Sequence, residues 1–206
     1  MKNNLAESAA KAISLLLNPL FVPTYMLLVL LYGDSAFALY PQRFKLYLVW
    51  VVALYTLVIP AISLGILRTS GRISSFDVDD REQRALPLLI AGGCYILCAT
   101  TIGRIQSAEL LRRIMLSAAC CQIVTLAVSH RWKISLHMTT MGGCVAILLV
   151  MCIASIGNLT SVLTLAILCS GLLASSRLML GKHSPLQVAA GFACGFIVAG
   201  AAMLLL

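Results

Sequence analysis

The chain has 206 residues, of which 61% are hydrophobic and 11% are charged, and its mean hydropathy is +1.00. A soluble domain of this length is far less apolar, so the composition excludes one and indicates helices that cross a membrane. The 15 Lys and Arg exceed the 7 Asp and Glu and give a net charge of +8, but these basic residues lie in short loops. That placement favours membrane orientation and an anionic substrate, and we expect no nucleic-acid partner.

Seven apolar segments approach the roughly 20 residues with which a helix crosses a bilayer. In chain order they cover residues 12–32, 46–67, 86–102, 113–129, 138–156, 159–175 and 187–206. Pro19 and Pro23 predict that the first segment is kinked or only partly inserted. We therefore expect an all-α, polytopic bundle of six or seven transmembrane helices, formed as one domain over residues 1–206.

Three loops are separated from one another by two spans each and must therefore share one face of the membrane. They cover residues 68–85, 130–137 and 176–186. These loops contain every histidine and many of the cations: His130, His137, His183, Arg68, Arg72, Arg81, Arg84, Arg131, Lys133, Arg177 and Lys182. The convergence is typical of a binding site, although lipid drives polar residues into loops in any protein.

The eight cysteines all fall inside apolar segments, and none is paired with histidines at the spacing of a zinc site. They are Cys94, Cys98, Cys120, Cys121, Cys144, Cys152, Cys169 and Cys194. We interpret them as small packing residues and predict no metal site there.

The third loop contains a helix start beside a histidine, in the segment SRLMLGKHSPLQ at residues 176–187. Ser184 suits the N-cap position, and Gln187 completes a capping box with it. His183 then directly precedes a helix N-terminus, where free backbone N–H groups favour an anion. With the charge of Arg177 nearby, a phosphate would fit here, and His183 could attack it or give it a proton.

The second loop, HRWKISLHM, places His137 at the beginning of the fifth predicted span. Lys133 offers a point charge and Ser135 a hydroxyl, and both groups suit phosphate oxygens. His130 is expected at the membrane interface and is given no role.

The first loop, FDVDDREQRALP, has Arg81 and Arg84 three residues apart, so a helix would present both on one face. It also contains four of the seven acidic residues of the chain: Asp77, Asp79, Asp80 and Glu82. These acids could cap the helix at Asp80, pair with the arginines or hold a metal ion. We favour capping and pairing, because the neighbouring arginines disfavour a divalent cation.

At this point the sequence resembles the type 2 phosphatidic acid phosphatase superfamily. The third signature of that family is matched by Ser176-Arg177, then His183 and then residue 187 at the same spacing. The second signature, Pro-Ser-Gly-His, is matched in part by residues 134–137, and the end of the first by Arg84 with Pro87. The resemblance covers about residues 68–200, in the family's order.

The resemblance implies a metal-independent phosphatase that needs no cofactor and forms a phosphohistidine. His183 would be the nucleophile, and His137 would protonate the leaving oxygen. Arg177, Ser135 and Arg84 would hold the phosphoryl oxygens. From the loops themselves we expect Lys133 and Arg81 to bind phosphate as well. This implication agrees with the positive groups and the in-line nucleophile that phosphoryl transfer requires.

A site at the ends of membrane helices suits a lipid with a phosphorylated head group. Undecaprenyl pyrophosphate is favoured by analogy with the family, and phosphatidylglycerol phosphate, phosphatidic acid and lipid A phosphate are the other candidates. The same analogy implies a bacterial cytoplasmic membrane.

Gln187 departs from the family, which has an aspartate that accepts a hydrogen bond from the nucleophilic imidazole. Gln187 can accept the same bond but has no charge, so an inactive lipid-binding or assembly protein of the same fold is one alternative. A magnesium-dependent membrane prenyltransferase is the other, because DVDDREQR resembles the aspartate-rich segments of those enzymes. The chain has only one such cluster, which argues against it.

Overall fold

The structure is a computed structural model that describes residues 2–76, 78, 80 and 82–206, with side chains from residue 5 onward. The described part of the chain is all-α. Its helices are α1 (Lys2–Leu16), α2 (Val22–Tyr32), α3 (Gln42–Ala53), α4 (Ile59–Thr69), α5 (Ala85–Ile102), α6 (Glu109–Arg131), α7 (Leu136–Ile153), α8 (Thr160–Met179) and α9 (Pro185–Leu205). A π-helical turn, Leu54–Val58, joins α3 to α4 without a break.

Among the described residues, six helices are long and apolar enough to cross a membrane, so the chain is an integral, multi-pass membrane protein. They are Gln42–Thr69, Glu82–Ile102, Gln106–Arg131, Leu136–Ile153, Thr160–Met179 and Pro185–Leu205. Five of these ranges agree within four residues at each end with the predicted segments, and the sixth, Gln106–Arg131, begins seven residues before the predicted segment 113–129. Hydropathy predicts them well because a bilayer requires a nearly fixed length of apolar helix.

The first predicted segment, residues 12–32, is not one continuous helix. The Asn18 side chain accepts a hydrogen bond from the backbone N–H of Leu20 at 3.0 Å, which is a local turn that competes with helix. Pro19 follows directly and has no N–H to continue α1. The expected kink is therefore a full break, and α2 has only 11 residues.

The short helix α2 runs beside α7. Val22, at its beginning, packs in one apolar cluster with Met138 at the beginning of α7. Just after its end, Ser35 pairs with Gly157, which follows the end of α7. One face of α2, with Leu27, Leu30 and Leu31, is buried in the bundle, whereas the opposite face, with Tyr25 and Leu28, is exposed.

The central pair of the bundle is α7 and α9, which approach closely because glycines line their contact. A Cβ placed on Gly195 would overlap the carbonyl oxygen of Thr139, and one on Gly191 would lie 2.7 Å from the carbonyl oxygen of Ser135. The sequence spacing of these two glycines predicted a close helix contact, and α7 is the neighbour that makes it.

Replacing Gly195 with alanine is therefore expected to lower the thermal unfolding midpoint of the protein in detergent. The added methyl group must push α7 and α9 apart, and overpacking of this kind costs about 1–3 kcal/mol. Gly171→Ala on α8 is the matched control, because no atom lies within 4 Å of a Cβ at that position. Equal midpoints for the two variants would contradict the close contact.

Candidate functional site

The three polar loops meet on one face of the bundle, as their separation by pairs of spans predicted. Arg84 in the first loop donates from Nη1 to the carbonyl oxygen of Ile134 in the second loop, at 2.7 Å. The backbone N–H of Ser135 donates to the carbonyl oxygen of Gln187, at the start of α9, at 3.3 Å. The first loop therefore contacts the second, and the second contacts the turn that follows the third.

The predicted capping box at the start of α9 is confirmed, and it also holds His183. The Ser184 hydroxyl accepts from the backbone N–H of Gln187 at 3.4 Å, and Gln187 Oε1 accepts from the backbone N–H of Ser184 at 3.1 Å. The same Oε1 lies 3.3 Å from Nδ1 of His183. One amide oxygen thus serves both the helix start and the imidazole.

This shared oxygen fixes the tautomer of His183. A backbone N–H can only donate, so the atom of Gln187 that faces Ser184 must be its oxygen. His183 Nδ1 must then donate to that oxygen and carry the proton. In the neutral imidazole Nε2 keeps its lone pair, which is the form a nucleophile or a proton acceptor requires.

Burial and nearby cations favour the neutral form of His183. The imidazole is 8% exposed. Burial first, and then the positive charges of Arg177, Lys133 and Arg84, lower its pKa from 6.5 to about 4, while the hydrogen bond to Gln187 acts in the opposite direction. Each of the three loops contributes one of these charges, in the loop or at a flanking helix end. At neutral pH the site therefore combines an unprotonated Nε2 with a positive surrounding.

The two arginines of the site are almost completely buried. Arg84 and Arg177 are each 2% exposed. Arg84 also donates from Nε to the carbonyl oxygen of Val78 at 3.0 Å, so two backbone oxygens orient its guanidinium. Arg177 lies in the last turn of α8, where the helix dipole favours a cation. Lys133 is half-buried and completes the positive surface.

Ser135 is the N-cap of α7. It is fully buried, and its hydroxyl oxygen accepts from the backbone N–H of Met138 at 3.4 Å. The sequence predicted a phosphate ligand here and gave no sign of this capping role. A hydroxyl that accepts a hydrogen bond still has its own O–H to donate, so the two roles are compatible.

His137, in the first turn of α7, is 5% exposed and faces α1. Its Nε2 lies 3.3 Å from the carbonyl oxygen of Ser14, and since a carbonyl can only accept, Nε2 carries a proton. This partner was not predicted, because α1 was not expected to reach the loops. His130 ends α6 with an exposed side chain, which agrees with the predicted interfacial position.

A cavity of about 550 Å³ lies in the bundle beside Arg84 and His137, which both line it, whereas His183, Arg177 and Lys133 do not. The rest of its wall is mostly apolar and comes chiefly from α2, the π turn, α4, α5, α6 and α7. Sequence reasoning did not predict this cavity. Its volume lies in the range of about 300–1,000 Å³ that is usual for small-ligand sites.

The acidic part of the first loop is described only in part. Asp80 accepts from the backbone N–H of Glu82 at 3.2 Å, at the beginning of the short 3₁₀ helix Glu82–Arg84. The helix α5 itself begins after Arg84 and has no side-chain cap. Arg81, Asp77 and Asp79 lie outside the described residues. Among the residues that the structure does describe, no group of three His, Cys, Asp or Glu side chains is arranged to hold a metal ion.

Comparison of the chain with known protein families, with curated proteins and with solved structures found no match. The interpretation of the site therefore depends on its own geometry. Two features carry most weight: the hydrogen bond that orients His183, and the positive charges that surround it.

Proposed function

We propose that the chain is an integral membrane phosphatase that hydrolyses the phosphate monoester or pyrophosphate head group of a lipid through a phosphohistidine. One observation carries the proposal: His183 is held in a neutral tautomer, with Nε2 unprotonated, among the charges of Arg177, Lys133 and Arg84. Cations attract the phosphoryl group, and a neutral imidazole can attack it. Phosphoryl transfer depends mainly on such positioning and charge.

In the first step Nε2 of His183 attacks phosphorus, an N–P bond forms and the bond to the leaving oxygen breaks. His137 protonates that oxygen from Nδ1, while its Nε2–H stays on the carbonyl oxygen of Ser14. The imidazolium formed at His183 keeps its Nδ1–H on Gln187. The charge on the phosphoryl oxygens is stabilised by Arg177, Lys133, Arg84 and Ser135, and Arg81 is assigned the same role from the sequence.

In the second step water attacks phosphorus and the N–P bond breaks. His137, now neutral at Nδ1, takes the proton from the attacking water, so it returns to its starting state. Inorganic phosphate leaves and His183 is neutral again. Splitting hydrolysis into two displacements in this way is ordinary nucleophilic catalysis, and neither step requires a metal ion.

The second candidate function is binding of a lipid phosphate without hydrolysis. The neutral side chain at Gln187 favours it. A neutral amide stabilises the imidazolium less than a carboxylate would, because charge-assisted hydrogen bonds are about twice as strong. In that case the cations and the cavity would bind a lipid phosphate without hydrolysing it.

Phosphate release from purified protein in detergent tests the proposal. The substrates are undecaprenyl pyrophosphate, phosphatidylglycerol phosphate, phosphatidic acid and lipid A phosphate, each with and without EDTA. We expect release from at least one of them that persists in EDTA. Release that requires magnesium would contradict the proposed chemistry, and no release from any of them would leave lipid binding as the function.

Changing Gln187 to aspartate is expected to move the acidic limb of kcat/KM to higher pH by about 1–3 units. The acidic limb of the kcat/KM profile reports protonation of His183 in the enzyme without substrate. The pKa of His183 is about 4, well below the ordinary value of 6.5. A carboxylate beside Nδ1 stabilises the imidazolium and therefore raises that pKa.

Both proteins are measured on one substrate, so that ionisation of the substrate cancels in the comparison. Gln187→Ala should slow turnover per folded molecule, because Nδ1 loses its acceptor. Two results together would show that Gln187 only caps α9 and does not orient His183. The acidic limb would lie at the same pH in Gln187→Asp and wild type, and Gln187→Ala would be fully active.

A further inference from the structure

Five serine and threonine side chains line the cavity, and two of them have no hydrogen-bond partner in the described part of the chain. Ser63, Thr139 and Thr140 each donate to the carbonyl oxygen four residues earlier. The Oγ1 atoms of Thr56 and Thr125 are unsatisfied, although these residues are only 2% and 1% exposed. A buried polar group without a partner is destabilising, so both hydroxyls are suited to a hydrogen bond with a ligand.

Thr56 reaches the cavity from an irregular turn of its helix. It is the middle residue of the π turn, Leu54–Val58, and lies near the middle of the continuous span Gln42–Thr69. Turns of π-helix inside α-helices are rare and frequently occur at functional sites. Polar side chains within a membrane span are costly and generally mark a site, so the position of Thr56 favours a ligand in the cavity.

Thr125 reaches the cavity from the regular helix α6. A threonine in a helix commonly donates to the carbonyl oxygen one turn earlier, which here belongs to Cys121. The Thr125 hydroxyl does not make this bond. Gln122 also lines the cavity, three residues earlier on the same face of α6. The π turn and α6 thus present two hydroxyl donors and an amide in an otherwise mostly apolar wall.

The charges around the cavity favour an uncharged ligand. Among the described residues that line it there is no Asp, Glu or Lys. Arg84 does line it, but Nε and Nη1 of its guanidinium donate to backbone carbonyl oxygens. Arg177 and Lys133, which attract phosphate in the neighbouring site, lie outside the lining. A mainly apolar molecule with oxygen acceptors therefore matches this wall better than an anion.

We propose that the cavity is a second binding site for an uncharged, mainly apolar molecule with two oxygen acceptors, of the chemical class of the quinones. Thr56 donates to one carbonyl oxygen and Thr125 to the other, while the apolar wall surrounds the ring. The site is distinct from the phosphate site at His183, Arg177 and Lys133, although Arg84 and His137 border both. Its occupancy does not depend on the proposed hydrolysis.

Binding of duroquinone, a fully methylated benzoquinone, to the purified full chain in detergent tests the site. Durene is the matched hydrocarbon, which has the same four methyl groups on a six-membered ring and lacks the two oxygens. Every ring carbon of duroquinone is substituted, which disfavours addition of the Cys121 and Cys144 thiols in the cavity wall. Each titration is corrected for partition of the probe into empty micelles, and we expect saturable binding of duroquinone.

The variants Thr56→Val and Thr125→Val keep the shape of the side chain and remove the donor. We expect each to weaken duroquinone binding about 3- to 10-fold, the range for one hydrogen bond, and to leave durene binding within about 2-fold. Both variants should fold, because an apolar group of the same shape replaces a hydroxyl that has no partner.

Matched controls separate the two hydrogen bonds from general effects on the fold. Thr24→Val and Ser129→Ala remove buried, unsatisfied hydroxyls that do not line the cavity, and both should leave the two affinities unchanged. Thr125→Ser keeps the donor and should retain duroquinone binding. His183→Ala should also retain it, because His183 does not line the cavity.

Absence of saturable duroquinone binding would overturn the proposed site. Equal weakening of duroquinone and durene by the two valine variants, or no weakening of either, would overturn it as well, because the hydroxyls would then bind no carbonyl. Loss of duroquinone binding in His183→Ala would place the molecule in the phosphate site instead. None of these measurements uses phosphate release, so failure of the proposed hydrolysis would leave the expected binding results unchanged.

Discussion

Alanine at position 183 is expected to abolish phosphate release, by on the order of 10⁴-fold or more. His183 is the only histidine in its loop, and its Nε2 is the unprotonated nitrogen that the hydrogen bond to Gln187 leaves available. Without it the covalent step has no nucleophile, and direct attack by water must proceed among the same cations. Binding of the lipid phosphate should persist, because Arg84, Lys133 and Arg177 remain.

The measurement is phosphate release per folded molecule, with folding checked by elution of the detergent-solubilised protein. His130→Ala is the matched control, since it removes an exposed histidine at the end of α6 and is expected to leave activity unchanged. Wild-type protein quenched in base during turnover should carry acid-labile phosphate, which the His183→Ala variant should lack. Activity of that variant within a few-fold of wild type would reject His183 as the nucleophile.

The spans were predictable because two simple quantities determine them. An apolar run must be about 20 residues long to cross a bilayer, and polar residues must lie outside it. The first segment, residues 12–32, satisfies the composition but fails as one helix, because Asn18 forms a turn just where Pro19 cannot continue the hydrogen bonding. Composition averaged over a window does not detect such a local competition.

The meeting of the three loops was also predictable, because parity alone puts loops separated by two spans on one face. Local sequence rules predicted the capping box of Ser184 and Gln187, since it depends on two residues that are three positions apart. The double use of the Gln187 oxygen follows from the same helix start, which turns the side chain back toward His183.

Contacts between distant segments could not be predicted. The carbonyl oxygens of Val78 and Ile134 orient Arg84, and that of Ser14 orients His137. Every residue has a backbone carbonyl, so the sequence does not indicate which one will accept a hydrogen bond. The cavity is likewise a product of packing, because it exists only where side chains from several helices fail to fill the space between them.

His137→Ala is expected to reduce hydrolysis of a lipid phosphate about 10²- to 10⁴-fold, the usual contribution of a general acid. A lipid alkoxide is a poor leaving group, so the first step requires the proton that His137 supplies. With p-nitrophenyl phosphate the leaving oxygen needs little protonation, and the first step should largely recover. The second step should not, because His137 is also the base that takes a proton from water.

The variant should therefore release p-nitrophenol in a burst of about one molecule per site and then continue slowly, with phosphate held on His183. Stopped-flow absorbance gives the burst, and base quenching followed by release in acid gives the bound phosphate. The double variant His137→Ala with His183→Ala should show neither signal, which excludes a burst from misfolded protein. Steady release from the single variant without a burst would assign His137 to the first step alone, and unchanged lipid hydrolysis would reject it as the acid. Its contact with Ser14 would then serve only to hold α1 against α7.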